Sequence, residues 1–144
     1  MSGMERSFVV HIDGACSGNP GPAAAGVVIA AADDGTVVHE KGYYLGRATN
    51  NVAEYYALLI ALEELLVLGA DSVVVYSDSE LLTRQSSGEY KVKAPGLRFL
   101  SGRIKRLSSL LRRFEVRHVL RAENQAADAL ARKALREARK TLLS

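Results

Sequence analysis

The first third of the sequence contains three short runs of β-branched, aromatic and small apolar residues, separated by residues that form turns. The runs cover residues 8–12, 25–31 and 36–45, and each has the length and composition typical of a β-strand. A segment rich in glycine and proline, residues 14–22, predicts a loop between the first two strands. Between the second and third strands, Asp34 and Gly35 form a pair that is a strong hairpin signal. We therefore predict that the three strands form an antiparallel meander.

Apolar residues then change from a strand-like to a helical spacing. From residue 52 to residue 68 they recur every three or four positions, with polar residues 49–51 available as N-caps and Gly69 placed where a helix commonly ends. Residues 73–76 are all β-branched or aromatic and predict a buried strand. The hydroxyl and carboxylate side chains of residues 77–79 then precede a short predicted helix at residues 80–86.

The remainder of the chain predicts two more helices with a strand between them. A loop at residues 88–96 precedes an apolar stripe that steps by three and four residues and predicts a helix. The stripe consists of Leu97, Leu100, Ile104, Leu107, Leu111 and Phe114. Residues 115–120 predict the last strand, and residues 124 to about 140 predict a terminal helix. The element order βββαβααβα predicts an α/β fold in which a mixed sheet has helices packed on its faces.

Length and composition are those of one globular domain. The chain has 144 residues, of which 48% are hydrophobic and 24% are charged, and it contains no internal repeat, low-complexity tract or linker. We interpret residues 1–144 as a single domain with a frayed N-terminus at residues 1–6. Cys16 is the only cysteine, which excludes an internal disulfide and a cysteine-based zinc site and favours a reducing, cytoplasmic location.

No segment of the sequence indicates a membrane association or an obligate protein partner. The longest apolar stretches, residues 23–32 and 57–62, fall short of the roughly 20 residues that cross a bilayer. The first residues do not resemble a secretory signal, because no basic region precedes an apolar core there.

The modest net charge of +3 conceals a strong asymmetry along the chain. Residues 1–80 contain 3 Lys or Arg and 11 Asp or Glu, a net charge of −8, whereas residues 81–144 contain 16 and 5, a net charge of +11. The basic half suggests a polyanionic partner such as a nucleic acid. The excess of acidic residues in the first half of the chain then needs a separate explanation, because acidic groups repel such a partner.

Four carboxylates lie where solvation at the surface does not readily explain them, namely Asp13, Glu54, Asp78 and Asp128. Two follow predicted strands and two lie in the first turns of predicted helices, so all four fall where loops gather at one edge of a sheet. If they converge, their mutual repulsion requires cations among them, and oxygen ligands favour Mg²⁺ or Mn²⁺. Each also has a purely structural explanation, because acidic residues stabilise helix starts, Asp13 precedes a turn glycine and Asp78 suits an N-cap.

The residues around these carboxylates favour the first explanation. They form four segments, which are IDGACSGNPGP at residues 12–22, ATNNVAE at 48–54, YSDS at 76–79 and NQAADALA at 124–131. In this order and at these separations, the segments closely resemble the four active-site motifs of type 1 ribonuclease H. The resemblance extends from about residue 8 to residue 135.

The resemblance implies a ribonuclease-H-like fold with a five-stranded mixed sheet and helices on both faces. It also implies endonucleolytic hydrolysis of the RNA strand of RNA/DNA hybrids with two Mg²⁺ ions, with Mn²⁺ as the alternative ion. The expected products carry 5′-phosphate and 3′-hydroxyl ends. Asp13, Glu54, Asp78 and Asp128 match the catalytic, metal-binding carboxylates of the family.

The same resemblance assigns substrate contacts to four polar residues. Asn19, Asn50 and Asn51 match positions that touch the minor groove of the hybrid, and Thr49 matches a position that helps hold a DNA phosphate. Asparagine suits this role because it can both donate to and accept from base edges and 2′-hydroxyls. N-capping of the following helix is the alternative role for Thr49, Asn50 and Asn51.

Two departures from the family concern substrate binding and catalysis. Many bacterial members carry a tryptophan-containing basic protrusion, but here residues 88–96 are short and the chain has no tryptophan. Our hypothesis is that Lys91, Lys93 and the arginines between residues 98 and 113 partly replace it, a solvated helix face being the alternative. Many members also have a histidine before the last carboxylate. Arg121 is placed to take over part of that role by stabilising phosphate charge.

Two other functions stay open from the sequence. One is a related nuclease of the same fold that acts on double-stranded RNA or branched DNA, and the other is a non-catalytic nucleic-acid-binding module. The presence of all four matching carboxylates argues against the second function, because a binding module gains nothing from acidic groups that face phosphate.

Overall fold

Five strands and four α-helices make up residues 5–143, the part of the chain that the computed structural model describes. The strands are β1 (Ser7–Cys16), β2 (Gly21–Ala31), β3 (Val37–Ala48), β4 (Ser72–Ser77) and β5 (Arg113–His118). The helices are α1 (Asn50–Val67), α2 (Glu80–Ser86), α3 (Pro95–Ser108) and α4 (Gln125–Leu143), and a 3₁₀ turn at Arg121–Glu123 precedes α4. This order confirms the predicted succession of strands and helices.

The strands form one mixed sheet in the order β3-β2-β1-β4-β5. β1 pairs antiparallel with β2, and β2 pairs antiparallel with β3, which confirms the predicted meander. β4 joins the other side of β1 in parallel, and β5 pairs in parallel with β4. Because β1, β4 and β5 run in the same direction, their carboxyl ends meet at one edge of the sheet.

Glycines let helices approach both faces of the sheet. A Cβ added at Gly14 would lie 2.7 Å from the backbone nitrogen of Glu54 in α1, and a Cβ added at Gly26 would lie 2.0 Å from the carbonyl oxygen of Ala127 in α4. Gly26 pairs across the strands with Asp13, the neighbour of Gly14. Because neighbouring residues of a strand point to opposite faces, α1 and α4 pack on opposite faces, as predicted.

The main hydrophobic core lies between the sheet and helices α1 and α3. Its members include Val10, Ile12, Val27, Ile29, Leu58, Leu62, Leu65, Val73, Val75, Leu97, Leu100 and Ile104. Ile12, Leu62 and Val75 are fully buried. Burial of each such side chain stabilises the fold by about 1.5–3 kcal/mol. The core thus anchors β1, which contains Asp13, and β4, which directly precedes Asp78.

Side-chain caps determine where α1 and α2 begin. Thr49 Oγ1 accepts a hydrogen bond from Val52 N–H at 3.2 Å, which confirms the capping role predicted for this segment. Ser79 Oγ accepts a hydrogen bond from Leu82 N–H at 3.1 Å. Ser79, and not Asp78, is therefore the N-cap of α2, which leaves the Asp78 carboxylate available for other contacts.

Strands β1 and β2 extend further than the sequence predicts. Residues 14–22, predicted as a loop, contain the end of β1 and the start of β2, so the connecting loop comprises only residues 17–20. The prediction was wrong because glycine and proline usually interrupt strands. Here β1 pairs with β2 as far as Cys16 and Ala23, and β2 pairs with β3 from Gly21 onward. Asp13 consequently lies inside β1 and not at its end.

Helix α3 is shorter than its apolar stripe. It ends at Ser108, so Leu111 and Phe114 do not belong to it, which corrects the predicted helix. Leu111 is buried in the following turn, and Phe114 lies in β5, which begins two residues earlier than predicted. The apolar spacing continues past the helix because both side chains contact the same core from other elements. Arg112 and Arg113 therefore also lie outside α3.

Two further predictions concern the N-terminal residues and membrane-spanning segments. Residues 1–4 of the predicted frayed N-terminus lie outside the described residues. Arg6, in the same predicted segment, is held in place, because its N–H donates to Asp71 Oδ2 at 2.8 Å and its carbonyl oxygen accepts from Asp71 N–H at 2.8 Å. Among residues 5–143, no helix has the length and hydropathy needed to cross a membrane.

Candidate active site

Asp13 and Asp78 lie where the pairing of β1 with β4 ends. The last paired residues of these two parallel strands are Ile12 and Ser77. Because the strands run in the same direction, the residues that follow this pair, Asp13 and Asp78, are neighbours at the carboxyl edge of the sheet. β1 continues beyond this point along β2 alone, so Asp13 borders the open end of β4.

Glu54 reaches the same edge from α1. Gly14 makes this close approach possible, and its N–H donates a hydrogen bond to the Glu54 carboxylate. Since α1 begins at Asn50, Glu54 lies in its second turn, beyond the first turn in which the helix dipole favours acidic residues. The prediction that placed Glu54 in the first turn was therefore wrong, and the helix dipole does not account for this residue.

These three carboxylates form a compact, largely buried cluster. One oxygen from each of Asp13, Glu54 and Asp78 lies within 4.8 Å of the other two. Asp13 is 5% exposed and Glu54 is 8% exposed, so water solvates their charges poorly. Burial and the charge of Glu54 raise the pKa of Asp13 to about 9. Burial and the charge of Asp78 raise the pKa of Glu54 to about 7. Without a cation, the cluster therefore retains protons at neutral pH.

Asp128, the fourth predicted carboxylate, lies beside this group of three. It is in the first turn of α4, and both of its carboxylate oxygens accept hydrogen bonds from Arg132 Nε at 3.0 Å. Burial opposes ionisation of Asp128, but hydrogen bonds from Asp13 and Arg132, together with the charges of Arg132 and Arg121, lower its pKa overall. Arginine, and not a proton, thus compensates the charge of Asp128.

Asn124 ties the start of α4 to β1. Its side chain is 1% exposed, and its Nδ2 donates to the carbonyl oxygen of Ile12 at 2.7 Å. Ile12 immediately precedes Asp13, and Asp128 N–H donates to the carbonyl oxygen of Asn124 at 3.2 Å. This pair of hydrogen bonds sets the position of Asp128 relative to Asp13.

The chemistry of the cluster fits a divalent cation. All candidate ligand atoms are carboxylate oxygens, which suit hard ions. The Oε2 atom of Glu54 is buried and has no hydrogen-bond partner within residues 5–143, and a bound cation would satisfy it. A cation would also lower the raised pKa values of Asp13 and Glu54, because a nearby opposite charge favours the ionised form. Asp13, Glu54 and Asp78 are the residues that would hold it, with Asp128 beside them.

A cleft of about 620 Å³ opens at the cluster, and other predicted site residues line it. Besides the four carboxylates, it is lined by Asn50, Asn51, Arg121 and Arg132. Asn19 and Thr49 instead make contacts within the protein. Asn19 Oδ1 accepts a hydrogen bond from Asn50 N–H at 3.0 Å, and Thr49 caps α1. The structure thus places Asn50, Asn51 and Arg121 in the cleft and gives Asn19 and Thr49 supporting contacts beside it.

Lys91 and Lys93 are not among the residues that line this cleft. Lys91 borders a separate groove of about 380 Å³, which we call the α3 groove. Its basic and aromatic residues are Tyr90, Lys91, Arg98 and Lys105. Lys93 is exposed two residues further along the same loop. Lys91 and Lys93 therefore lie outside the carboxylate cleft, and their role in binding the hybrid stays a prediction.

Arg132 and Asn124 also contribute to the site, although no role was predicted for either of them. The available signal for Arg132 is its position four residues after Asp128 in a helix, where side chains become neighbours. Asn124 carries a weaker signal, because a polar residue just before a helix is a common N-cap and its buried contact with β1 is not local.

The free energy of unfolding of the ion-free protein is expected to fall as the pH rises from about 4 to about 9. Carboxylates of the unfolded chain titrate near pH 4, whereas the pKa of Glu54 is raised to about 7 and that of Asp13 to about 9. The folded state thus retains protons that the unfolded state releases, so this stabilisation is complete below about pH 4 and is lost as the pH passes through 7 and 9. A shift of one pKa unit corresponds to about 1.4 kcal/mol, or a fall in Tm of at least about 3 °C.

Thermal unfolding in EDTA at pH 5, 7 and 9 measures this effect. The double variant Asp13→Asn with Glu54→Gln is the control, because it keeps the shapes of both side chains and removes both titrations. The wild type should lose more stability with rising pH than the control, and Mg²⁺ should raise the Tm of the wild type most at pH 9. Equal pH dependence of the two proteins would contradict the assignment.

The sheet order, the helices on both faces and the acidic carboxyl edge together define a ribonuclease-H-like α/β protein. Residues 11–134 match a family described as reverse transcriptase-like. Ribonuclease HI of Halobacterium salinarum is 44% identical over 136 residues, which cover 93% of this chain and 68% of that protein. The crystal structure of the Halobacterium salinarum RNase H1 superposes with a TM-score of 0.87 at 42% identity, over 91% of this chain and 98% of that one.

Two further relatives extend the comparison. LC11-RNase H1, solved in complex with an RNA/DNA hybrid, superposes with a TM-score of 0.86 at 40% identity, over 91% of this chain and 98% of that chain. A bifunctional protein of Mycobacterium tuberculosis is 45% identical over 127 residues, or 88% of this chain. The chain spans 35% of the length of that mycobacterial protein. This chain belongs to the type 1 ribonuclease H family.

Proposed function

We propose that this protein is an endoribonuclease that hydrolyses the RNA strand of RNA/DNA hybrids. The observation that carries the proposal is the group of three carboxylates, with ligand atoms within 4.8 Å of one another, at the carboxyl edge of the sheet. Membership of the type 1 ribonuclease H family supports the same reaction, as does the RNA/DNA hybrid bound by LC11-RNase H1. The proposed products carry 5′-phosphate and 3′-hydroxyl ends.

In this proposal Asp13, Glu54, Asp78 and Asp128 hold two Mg²⁺ ions, with Mn²⁺ as the alternative. Bound divalent ions supply Lewis acidity, which lowers the pKa of water and stabilises negative charge on the leaving oxygen of a phosphodiester. The protein contributes by positioning the carboxylate ligands. β1, β4 and α1 hold Asp13, Asp78 and Glu54 at one point of the sheet edge, and burial keeps Asp13 and Glu54 poorly solvated.

Asn50 and Asn51 are proposed to contact the minor groove of the hybrid. They border the carboxylate cleft at the start of α1. Their amides can donate to and accept from base edges and 2′-hydroxyls, the group that distinguishes RNA from DNA. Thr49 is proposed to help hold a DNA phosphate in addition to capping α1.

Two hydrogen bonds connect the loop at residues 17–20 and the end of β1 before it to the end of β3 and the start of α1. Asn19 Oδ1 accepts from Asn50 N–H at 3.0 Å, and Cys16 Sγ donates to the carbonyl oxygen of Ala48 at 3.0 Å. Since its carbonyl group is engaged in this way, Asn19 is proposed to meet the minor groove through its amide nitrogen while it keeps Asn50 in place.

Arg121 is proposed to place positive charge next to the phosphate being cleaved. Its side chain is 71% exposed, and its Nη2 lies 3.9 Å from Asp128 Oδ1. It borders the carboxylate cleft as well as a neighbouring cavity on α4. A guanidinium there can stabilise charge that develops on a phosphate oxygen.

Lys91→Ala combined with Lys93→Ala is expected to weaken hybrid binding and to reduce its salt dependence. Each phosphate contact made by a lysine contributes about 0.9 to the slope of log affinity against log salt. Loss of two contacts should therefore lower the slope by about 1.8 and the affinity at low salt by roughly tenfold or more. Binding in Ca²⁺, measured over a range of salt concentrations, gives both quantities.

Lys133→Ala combined with Lys140→Ala is the matched control, because it removes the same charge from α4 instead of from the loop before α3. The control should change the slope and the affinity less than the loop variant does. An unchanged affinity and slope in the loop variant would show that Lys91 and Lys93 only solvate the surface.

Three duplexes of one sequence test the proposed function. The duplexes are an RNA/DNA hybrid, a double-stranded RNA and a double-stranded DNA. Each carries one labelled strand and is incubated with Mg²⁺. We expect cleavage of the RNA strand of the hybrid and no cleavage of the other two duplexes. Equal cleavage of double-stranded RNA would favour the related nuclease. Binding of the hybrid without cleavage would favour the non-catalytic module.

A further inference from the structure

Arg132 forms an ion pair with Asp128, the predicted metal ligand that lies beside the group of three carboxylates and not within it. Its Nε donates to both oxygens of Asp128 at 3.0 Å, and the two residues are separated by one helical turn of α4. Asp13, Glu54 and Asp78 instead have their ligand oxygens within 4.8 Å of one another. The positive charge that Asp128 needs is thus already supplied by the protein itself.

A cation at Asp128 and the Arg132 guanidinium are alternative partners of the same two oxygen atoms. A divalent ion would use lone pairs of the oxygens that Arg132 contacts, and the like charges of the ion and the guanidinium would repel each other there, so each disfavours the other. Arg132 also has space to move away, because it lines both the carboxylate cleft and a neighbouring cavity of about 640 Å³. The basic residues of that cavity are Arg121, Arg132 and Arg136.

We propose that Arg132 is a positioning residue that holds Asp128 in place in the ion-free protein and competes with the ion that Asp128 binds. The inference rests on the proposed function, since it requires Asp128 to be a ligand. In the absence of an ion, Arg132 holds the carboxylate of Asp128 in one orientation through hydrogen bonds to both of its oxygens. Because of this competition, the ion that uses Asp128 should bind more weakly than an ion held by Asp13, Glu54 and Asp78 alone.

Calorimetric titration of the full, ion-free chain with Mn²⁺, without nucleic acid, tests the competition directly. Arg132→Gln removes the competing charge and should tighten binding of the weaker ion. Partly exposed ion pairs have modest energies, so the expected gain is about threefold to fivefold. Arg132→Lys keeps the charge and should stay closer to the wild type. Arg132 is 53% exposed, so these variants are expected to fold, which circular dichroism checks.

Two comparisons separate competition at Asp128 from a general charge effect. Arg136→Gln removes the same charge one turn further along α4 and should leave the affinity of the weaker ion close to that of the wild type. In an Asp128→Asn background, Arg132→Gln should have no further effect on ion affinity. Both results together support the inference.

The opposite results overturn it. Equal gains in Arg132→Gln and Arg136→Gln, no gain in Arg132→Gln, or a gain that persists without the Asp128 carboxylate would each refute competition while leaving the proposed function intact. A wild type that binds no Mn²⁺ at all would refute the proposed function and this inference together.

Discussion

Asp78→Asn is expected to abolish Mg²⁺-dependent cleavage of a hybrid while leaving the fold intact. Asp78 follows the buried strand β4 and is the member of the carboxylate group whose charge acts on Glu54. Metal-ion catalysis supplies several kcal/mol, and each ~1.4 kcal/mol is tenfold in rate, so kcat should fall by roughly 1,000-fold or more. Asparagine keeps the shape of the side chain and removes repulsion with Glu54, so the Tm in EDTA should be unchanged or higher.

Glu80→Gln provides the matched control for this experiment. Glu80 lies two residues after Asp78, is exposed and pairs with Arg84 at 2.8 Å on the surface of α2. It loses the same charge without touching the cluster, so its cleavage rate should stay close to that of the wild type. Normal activity of the Asp78→Asn variant would refute the catalytic assignment.

Gly26→Ala is expected to destabilise the protein strongly and to reduce activity with it. A Cβ at this position would lie 2.0 Å from the carbonyl oxygen of Ala127, which belongs to the backbone of α4 and cannot rotate away. Overpacking costs typically 1–3 kcal/mol, and a backbone clash of this kind should reach about 3 kcal/mol, which lowers the Tm by roughly 6–12 °C. Because α4 carries Asp128, its displacement should also slow cleavage by the folded fraction.

Gly102→Ala is the control, because it makes the same substitution at a glycine with open space around the added Cβ. Gly102 lies within α3, and a Cβ there would have no atom within 4 Å. Alanine is favoured over glycine in a helix by about 0.5–1 kcal/mol, so this variant should gain roughly 1–4 °C in Tm. Thermal unfolding followed by circular dichroism measures both variants. A Gly26→Ala variant as stable as the wild type would contradict the close packing of α4 on β2.

The element order was predictable because each element has a clear hydrophobic period. The β-branched, aromatic and small apolar composition of the first runs predicts strands, and the stripe that ends before Gly69 predicts α1. The boundaries were less predictable where contacts distant in sequence overrule local preference. Residues 14–22 contain strand ends because β1 pairs with β2 there, and Leu111 extends an apparent helix because it contacts the same core.

Much of the carboxylate group was also predictable. Asp13 follows Ile12 and Asp78 follows Ser77, and Ile12 and Ser77 prove to be the last pair of two parallel strands. Placement of Glu54 beside them depends on the close approach at Gly14, which is visible only in three dimensions. The four motifs contain these residues but do not show how near to one another they lie in the folded chain.

The pairing of Asp128 with Arg132 could not be separated from ordinary surface pairs by spacing alone. Glu80 and Arg84 have the same four-residue spacing and also form an ion pair, at 2.8 Å, on the exposed side of α2. What distinguishes Asp128 is its position beside a buried acidic group, fixed by the hydrogen bond from Asn124 to Ile12 at 2.7 Å. That contact joins residues 112 positions apart in the sequence.

The chemical nature of the ends formed from a labelled RNA/DNA hybrid tests the central claim most directly. Hydrolysis by ion-activated water, which the carboxylate group is proposed to support, leaves a 5′-phosphate and a 3′-hydroxyl, and it should stop when EDTA replaces Mg²⁺. Analysis of the fragments by mass spectrometry distinguishes these ends from the products of attack by the 2′-hydroxyl. Fragments with 5′-hydroxyl and cyclic phosphate ends, or cleavage that continues in EDTA, would contradict the account.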